Sequence, residues 1–319
     1  MKIIRTVNGD IDPSVLGITQ THEHLTCDQT LGKMDDSFPA LSSPMILKDA
    51  ATITKELQGY YAVGGRAMVE ATVFGWGRDV LALREMSLSS SVHIIASSGF
   101  YTQEYIPEFA YEASVEMLAE FLVNELTQGM ESTNIKAGLL KSGCGYPIIE
   151  GLEKKCATAV ARAARITGAA ITTHSPAAGR FETPGGNLGY QFLKVFEAEG
   201  VDPSRVIIGH ADQNADIRQL IDLARQGAMI EFDVIGKNFR LLDETRIELL
   251  TKFAEAGYDG HLLLSTDRCR ISESKYYGGP GYDHLLISFI PRLKNNGFDD
   301  AIIHRLLVDN PAKILSISM

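Results

Sequence analysis

Short apolar runs rich in β-branched residues alternate with longer stretches in which apolar residues recur every three or four positions, and the alternation repeats eight times. The runs predict strands at 17–22, 67–72, 92–98, 135–141, 169–174, 205–210, 228–234 and 261–267. The stretches predict helices at 48–61, 79–87, 114–127, 149–167, 188–199, 215–226, 244–256 and 283–295. Gly64, Gly168, Gly200, Gly227 and Gly257 stand where five of these helices stop, as helix C-termini favour. Eight consecutive strand–helix units predict a closed (β/α)8 barrel of the TIM type, with an open doubly wound sheet as the alternative. Residues 299–319 predict one or two extra C-terminal helices around Pro311. No Pro/Ser/Gly-rich linker divides the 319 residues, so a single domain spanning 1–319 is expected.

In such a barrel, chemistry sits at the C-terminal ends of the strands, and reactive side chains do fall there. The first strand ends in Thr21-His22-Glu23-His24, where residues i and i+2 of an extended segment face one point. The fifth ends in His174, the sixth in His210 and the eighth in Asp267. His93 and His261 open strands at the opposite mouth, and His304 lies in the tail. A lone rim histidine is usually a hydrogen-bonded structural residue, but four with an aspartate on one rim point to a metal centre. Neutral imidazoles and a carboxylate suit zinc, manganese, cobalt or iron, and the set is too large for one tetrahedral zinc with an open position. Two cations would use it, and they need an anion between them. Lys141, ending the fourth strand, faces that gap and becomes anionic if carbamylated by carbon dioxide. Its alternative is an ammonium snorkelling to the rim, and Cys144, three residues on, is a rival bridging thiolate.

Thirty Lys plus Arg against forty Asp plus Glu give a formal charge of −10, the wrong sign for a partner of nucleic acid or anionic lipid. The first residues form no signal-peptide core and no long apolar run follows, so a cytoplasmic protein without membrane partners is expected. Four scattered cysteines without a C-x-x-C pair predict free thiols. Neither a P-loop nor a Gly-x-Gly-x-x-Gly opens a helix after a strand.

The string Thr21-His22-Glu23-His24, the Lys141 strand, Thr173-His174, Ile208-Gly209-His210-Ala211-Asp212 and Leu264-Ser265-Thr266-Asp267 resembles the phosphotriesterase family of the amidohydrolase superfamily. The resemblance implies that His22, His24 and Asp267 hold the more buried of two divalent cations, and His174 and His210 the more exposed. Carbamylated Lys141 and a hydroxide would bridge them. Gly143-Cys144-Gly145-Tyr146-Pro147 and Tyr277-Gly278-Gly279-Pro280-Gly281-Tyr282-Asp283-His284 look closer to the phosphotriesterase-related branch. That branch often has glutamate where this chain has Lys141. Asp233 is followed by Val234, where the family's phosphotriesterases have a histidine, which argues against organophosphates as native substrates.

The implied activity is hydrolysis of a carboxylic ester or lactone, including phosphorylated sugar lactones. An amidase for N-acylated amino acids or amino-sulfonates, a promiscuous phosphotriesterase and a non-catalytic binding protein are the alternatives, in that order. Asp267 would be the catalytic proton acceptor, its alternative being a helix N-cap. Phe100, Tyr101, Tyr146, Arg180, Lys237, Arg268, Arg270, Tyr282 and His284 sit on rim loops. Of these, Tyr101, Lys237, Arg268, Arg270 and Tyr282 are the expected substrate contacts, the cations gripping an anionic small molecule. Glu70 and Asp233 would orient histidines from behind. Trp76, in a glycine-flanked loop, would cap the barrel or pack at a subunit contact, the family's frequent homodimers making a dimer reasonable.

Overall fold

The eight strands pair in parallel, in chain order, into one sheet: β1 (Thr19–Glu23), β2 (Ala67–Glu70), β3 (His93–Phe100), β4 (Leu139–Gly143), β5 (Ile171–His174), β6 (Val206–Ile208), β7 (Met229–Phe232) and β8 (Leu262–Leu264). The computed structural model describes residues 1–32, 44–145, 147–175 and 187–318. Around the sheet lie α1 (Ala50–Ala62), α2 (Val80–Ser90), α3 (Val115–Thr127), α4 (Gly151–Thr167), α5 (Leu188–Ala198), α6 (Ile217–Arg225) and α7 (Asp243–Glu255), followed by a helical run over 285–295. This is the predicted barrel, and the open sheet is set aside. Gly168 shows why glycine ends a helix here: its φ of 72° lets its N–H return to the Ala164 carbonyl, 2.7 Å away.

The sheet closes without a β1–β8 ladder. Asp267 N donates to the His22 carbonyl and His24 N to that of Arg268, both at 3.2 Å, while the Ser265 hydroxyl sits between the His22 N and O. Beneath them the fully buried Glu23 carboxylate accepts the N–H groups of Thr266 (2.7 Å) and Arg268 (2.8 Å). A side chain thus supplies the acceptors that a ladder would have supplied, which buried backbone donors require.

Strand alternation builds the site. Ala67, Val69, Ile95, Leu139, Ala170, Ile207, Met229 and Leu263 form an apolar layer with Ile4, Leu16, Ile314 and Leu315. Two and four residues further along the same strand faces stand Lys141, then Thr172 and His174, then Glu231 and Asp233, then Ser265 and Asp267. Where β3 runs beside Lys141, Gly99 is required: a Cβ there would lie 2.0 Å from the Lys141 carbonyl oxygen.

The predicted sixth and eighth strands overran at the rim because the backbone turns there, whereas the third and fourth run two residues further than predicted, to Phe100 and Gly143. His210 and Asp267 have φ of 56° and 49°, left-handed values that end a ladder. Both chain ends also depart from expectation. Lys2–Thr6 pairs with Gly9–Ile11 as a hairpin, and Ile317–Ser318 adds to its other side. The rest of the tail is helical, over Asp300–His304, Arg305–Asp309 and Asn310–Leu315. The wide π turns at 285–289 and 305–309 each precede a segment with proline in its first turn, Pro291 and Pro311, which offer no N–H to the preceding turn.

Candidate metal centre

Each of the four rim histidines has one ring nitrogen beside an oxygen and the other turned toward the barrel axis. His22 Nδ1 lies 3.1 Å from Glu231 Oε2 and 3.2 Å from Asp233 Oδ2, leaving Nε2 3.4 Å from Lys141 Nζ. His24 Nδ1 lies 2.7 Å from Thr72 Oγ1, and its Nε2 faces Asp267 Oδ1 at 3.3 Å. His210 Nδ1 is 2.7 Å from Asp233 Oδ1, and Tyr101 Oη is 3.1 Å from His174 Nε2. The inward nitrogens of these last two, His210 Nε2 and His174 Nδ1, meet at 2.6 Å. An imidazole donating one N–H to an oxygen presents the opposite lone pair, the arrangement in which histidine ligates a cation.

Among the described residues two groups bring ligand atoms within 4.8 Å of one another: His22 with His24 and Asp267, and His22 with His210 and Asp233. The first is the expected trio. The second places Asp233 with His210, whereas His174 meets His210 directly. The donor set of imidazoles and carboxylates fits first-row divalent cations. Lys141 is wholly buried between the groups. Cys144, its rival, packs in the apolar layer between strands and helices and does not line the cavity.

Burial and charge act against each other here. Burial and the Lys141 ammonium disfavour protonation of His22, but Asp233 and Glu231 outweigh them and raise its pKa to about 10. A cation taken up at His22 must therefore displace a proton. Burial lowers His24 to about 3 and takes His174 well below the usual histidine value, so both present neutral nitrogens. Burial also lowers Lys141 to about 8, against the pull of Asp267 and Asp233. Asp267 is held well below the carboxylate range: burial opposes its charge, but Lys237 and His24 favour it more strongly. Its left-handed backbone, like that of His210, costs on the order of 1–3 kcal/mol, strain that the surrounding bonds must hold.

A cavity of about 200 Å³ opens over these groups. Tyr101, Lys237 and Arg270 line it, but Arg268 and Tyr282 do not. Arg268 is buried behind Glu273, and Tyr282 is turned inward with its hydroxyl donating to the His24 carbonyl at 2.5 Å. Both were expected on the wall because rim position does not fix side-chain direction. Lys237 touches Asp267 Oδ2 at 2.7 Å, so its charge is engaged with the rim aspartate. Phe100 belongs to the core and half-buried His284 lies outside the cavity; Tyr146 and Arg180 fall outside the described residues. Trp76 is buried in the barrel mouth, stacked on Tyr101 at 4.5 Å and edge-on to His24 at 4.6 Å. Glu70 accepts the N–H groups of Leu25 and Thr72 and stands 3.9 Å from His24 Nδ1, too far to orient it; Thr72 takes that contact. Asp233 does face His22 and His210, as expected.

Sequence reasoning overlooked Glu231, Thr72, Phe239 and Arg240. Glu231 carried a signal, since Glu231 and Asp233 repeat the i, i+2 spacing of His22 and His24. The loop residues Phe239 and Arg240, which line the cavity, carried none. None of the four cysteines is in a disulfide, as predicted, and all four are buried; among the described residues no helix is long and apolar enough to cross a membrane.

The model of the phosphotriesterase family matches residues 2–315. The phosphotriesterase homology protein of Escherichia coli is 33% identical over 303 residues, covering 95% of this chain and 98% of its own. The N-acetyltaurine hydrolase of Mus musculus is 29% identical over 350 residues, covering 98% of this chain and 97% of its own. The crystal structure of a lactonase from Listeria monocytogenes superposes with a TM-score of 0.90 at 30% identity, covering 99% of this chain and all of that one.

Proposed function

Because the chain belongs to the phosphotriesterase family and is a metal-dependent hydrolase, we propose that it opens a small lactone or carboxylic ester bearing an anionic group, such as a phosphorylated sugar lactone. One observation carries this reading. Arg270 and Arg240 line the cavity above the metal centre, and among the described residues neither guanidinium group has a carboxylate within 4.0 Å. In a chain of net charge −10, unneutralised guanidinium groups beside a carbonyl-cleaving centre suit an anion on the substrate.

His22, His24 and Asp267 would hold one divalent cation and His174 and His210 a second, zinc first, with manganese, cobalt or iron as alternatives. Bound there, such ions make water nucleophilic at neutral pH and polarise the acyl carbonyl. Lys141 would lie between them as a carbamate: its neutral amine adds carbon dioxide, an N–C bond forms and one proton leaves to solvent. Asp267 accepts the proton given up by the attacking water and passes it to the departing oxygen. Lys237 keeps that carboxylate in place and ionised between turnovers.

A second reading, cleavage of an N-acylated amino acid or amino-sulfonate, is favoured by the relatives named N-acetyltaurine hydrolase. An amine must be protonated as it leaves, a step that would fall to Asp267 alone, because the other carboxylate on the wall is already engaged. Glu273 accepts the N–H groups of Cys269 (2.9 Å) and Arg270 (3.0 Å). The ester therefore comes first. Comparing kcat/KM of the metal-loaded enzyme for phosphorylated lactones, neutral lactones, N-acyl amino-sulfonates and phosphotriesters tests this. Anionic lactones should lead, and Arg270→Ala should weaken their use about 10–100-fold, the loss expected from one charge-assisted bond, while sparing neutral lactones. Equal loss on both, or amides in the lead, overturns the ester reading.

A further inference from the structure

His174 differs from the other rim histidines in the oxygen that meets its outer nitrogen. His22 and His210 face carboxylates and His24 a threonine deep in the barrel, whereas His174 Nε2 faces the phenol of Tyr101 at 3.1 Å. The tautomer of His174 is the issue. His210 donates its Nδ1–H to Asp233, so its Nε2 points a lone pair at His174 Nδ1, 2.6 Å away. Without a cation, the proton of His174 is drawn to Nδ1, where it bonds to His210. For both inward nitrogens to serve a cation, the proton must sit on Nε2, and that part-buried N–H is held by an acceptor beside it. Tyr101 Oη is that acceptor.

The phenol is itself held. Tyr101 stacks on Trp76 with the rings 13° from parallel, Trp76 abuts His24 edge-on, and Lys141 Nζ lies 5.2 and 6.0 Å from the Tyr101 and Trp76 ring centres. The aromatic pair therefore spans both histidine groups over the lysine.

We propose that Tyr101, held flat on Trp76, is a positioning residue that keeps His174 in the tautomer with Nδ1 as its inward donor, and so sets how tightly the second divalent cation is held. The proposal rests on the metal-hydrolase reading above. It assigns Tyr101 a task distinct from touching substrate.

The test titrates metal-stripped full-length protein with cobalt(II), counting bound metal after equilibrium dialysis, for the wild type and for Tyr101→Phe, which keeps the ring and its stack. The wild type should take two ions. In Tyr101→Phe the first should bind as before and the second about 10–100-fold more weakly, the usual effect of losing an outer partner of a ligating histidine. As a second measurement, 15N NMR of zinc-loaded wild type should show His174 protonated on Nε2. Two ions bound equally tightly by both proteins, or His174 protonated on Nδ1 in the loaded wild type, overturns the proposal and leaves the hydrolase reading intact. A wild type that binds fewer than two ions overturns the two-cation reading and the proposal with it.

Discussion

At the residue scale, the site depends on groups that water would treat as ordinary and burial does not. Asp267 is pinned between Lys237 and His24 on a left-handed backbone, an arrangement with no role in the core. Asp267→Asn keeps the shape and removes the charge. It should leave unfolding midpoints near wild type and lower turnover about 10²–10⁴-fold, the range typical for losing a proton-transfer group; steady-state kinetics beside thermal unfolding will show whether it does. Lys141 gives a pH dependence. Only the neutral amine adds carbon dioxide, and burial has lowered its pKa to about 8, so the ammonium predominates below that pH and the amine above it. At constant dissolved carbon dioxide, the rate at which stripped protein regains activity with metal should rise through about pH 8; a rate flat from pH 6.5 to 9 would remove Lys141 from the account. His22, His24, Lys141, His174, His210 and Asp267 were legible because residue type and strand-end position together place them. Arg268 and Tyr282 were not, because the direction of a loop side chain depends on what packs behind it.

At the scale of elements, the eight strand–helix units were legible from periodicity, since a buried parallel strand and an amphipathic helix leave different spacings in the chain. Closure of the barrel was not. It depends on Glu23, read as the residue between two ligands, whose side chain joins β1 to the segment after β8. Glu23→Leu strips the acceptor from two buried N–H groups, at roughly 1–3 kcal/mol for each. Urea unfolding should show a loss of that order, with less metal bound because His22, His24 and Asp267 sit at the same seam; stability within about 0.5 kcal/mol of wild type would mean the seam is held by other bonds. The hairpin at Lys2–Ile11 and the strand at Ile317–Ser318 were missed because they stand outside the strand–helix alternation that marks the barrel strands.

At the scale of the molecule, an acidic chain presents a small cavity whose floor carries His24, His174, His210 and Asp267, with His22 and Lys141 buried beneath, and whose wall carries Arg240 and Arg270, whose guanidinium groups have no carboxylate partner among the described residues. The floor follows from strand order, which the sequence reveals; the wall follows from loop conformation, which it does not. Family and hydrolase chemistry were therefore readable before the fold was known, whereas the choice between ester and amide rests on loop residues such as Arg270 and Glu273. The most direct test strips the protein of metal, adds zinc in steps with bicarbonate present, and follows hydrolysis of a phosphorylated lactone against metal bound per chain. Stripped protein should be inactive and activity should level off at two equivalents. Turnover that survives stripping, or that is complete at one equivalent, would contradict a two-cation hydrolase.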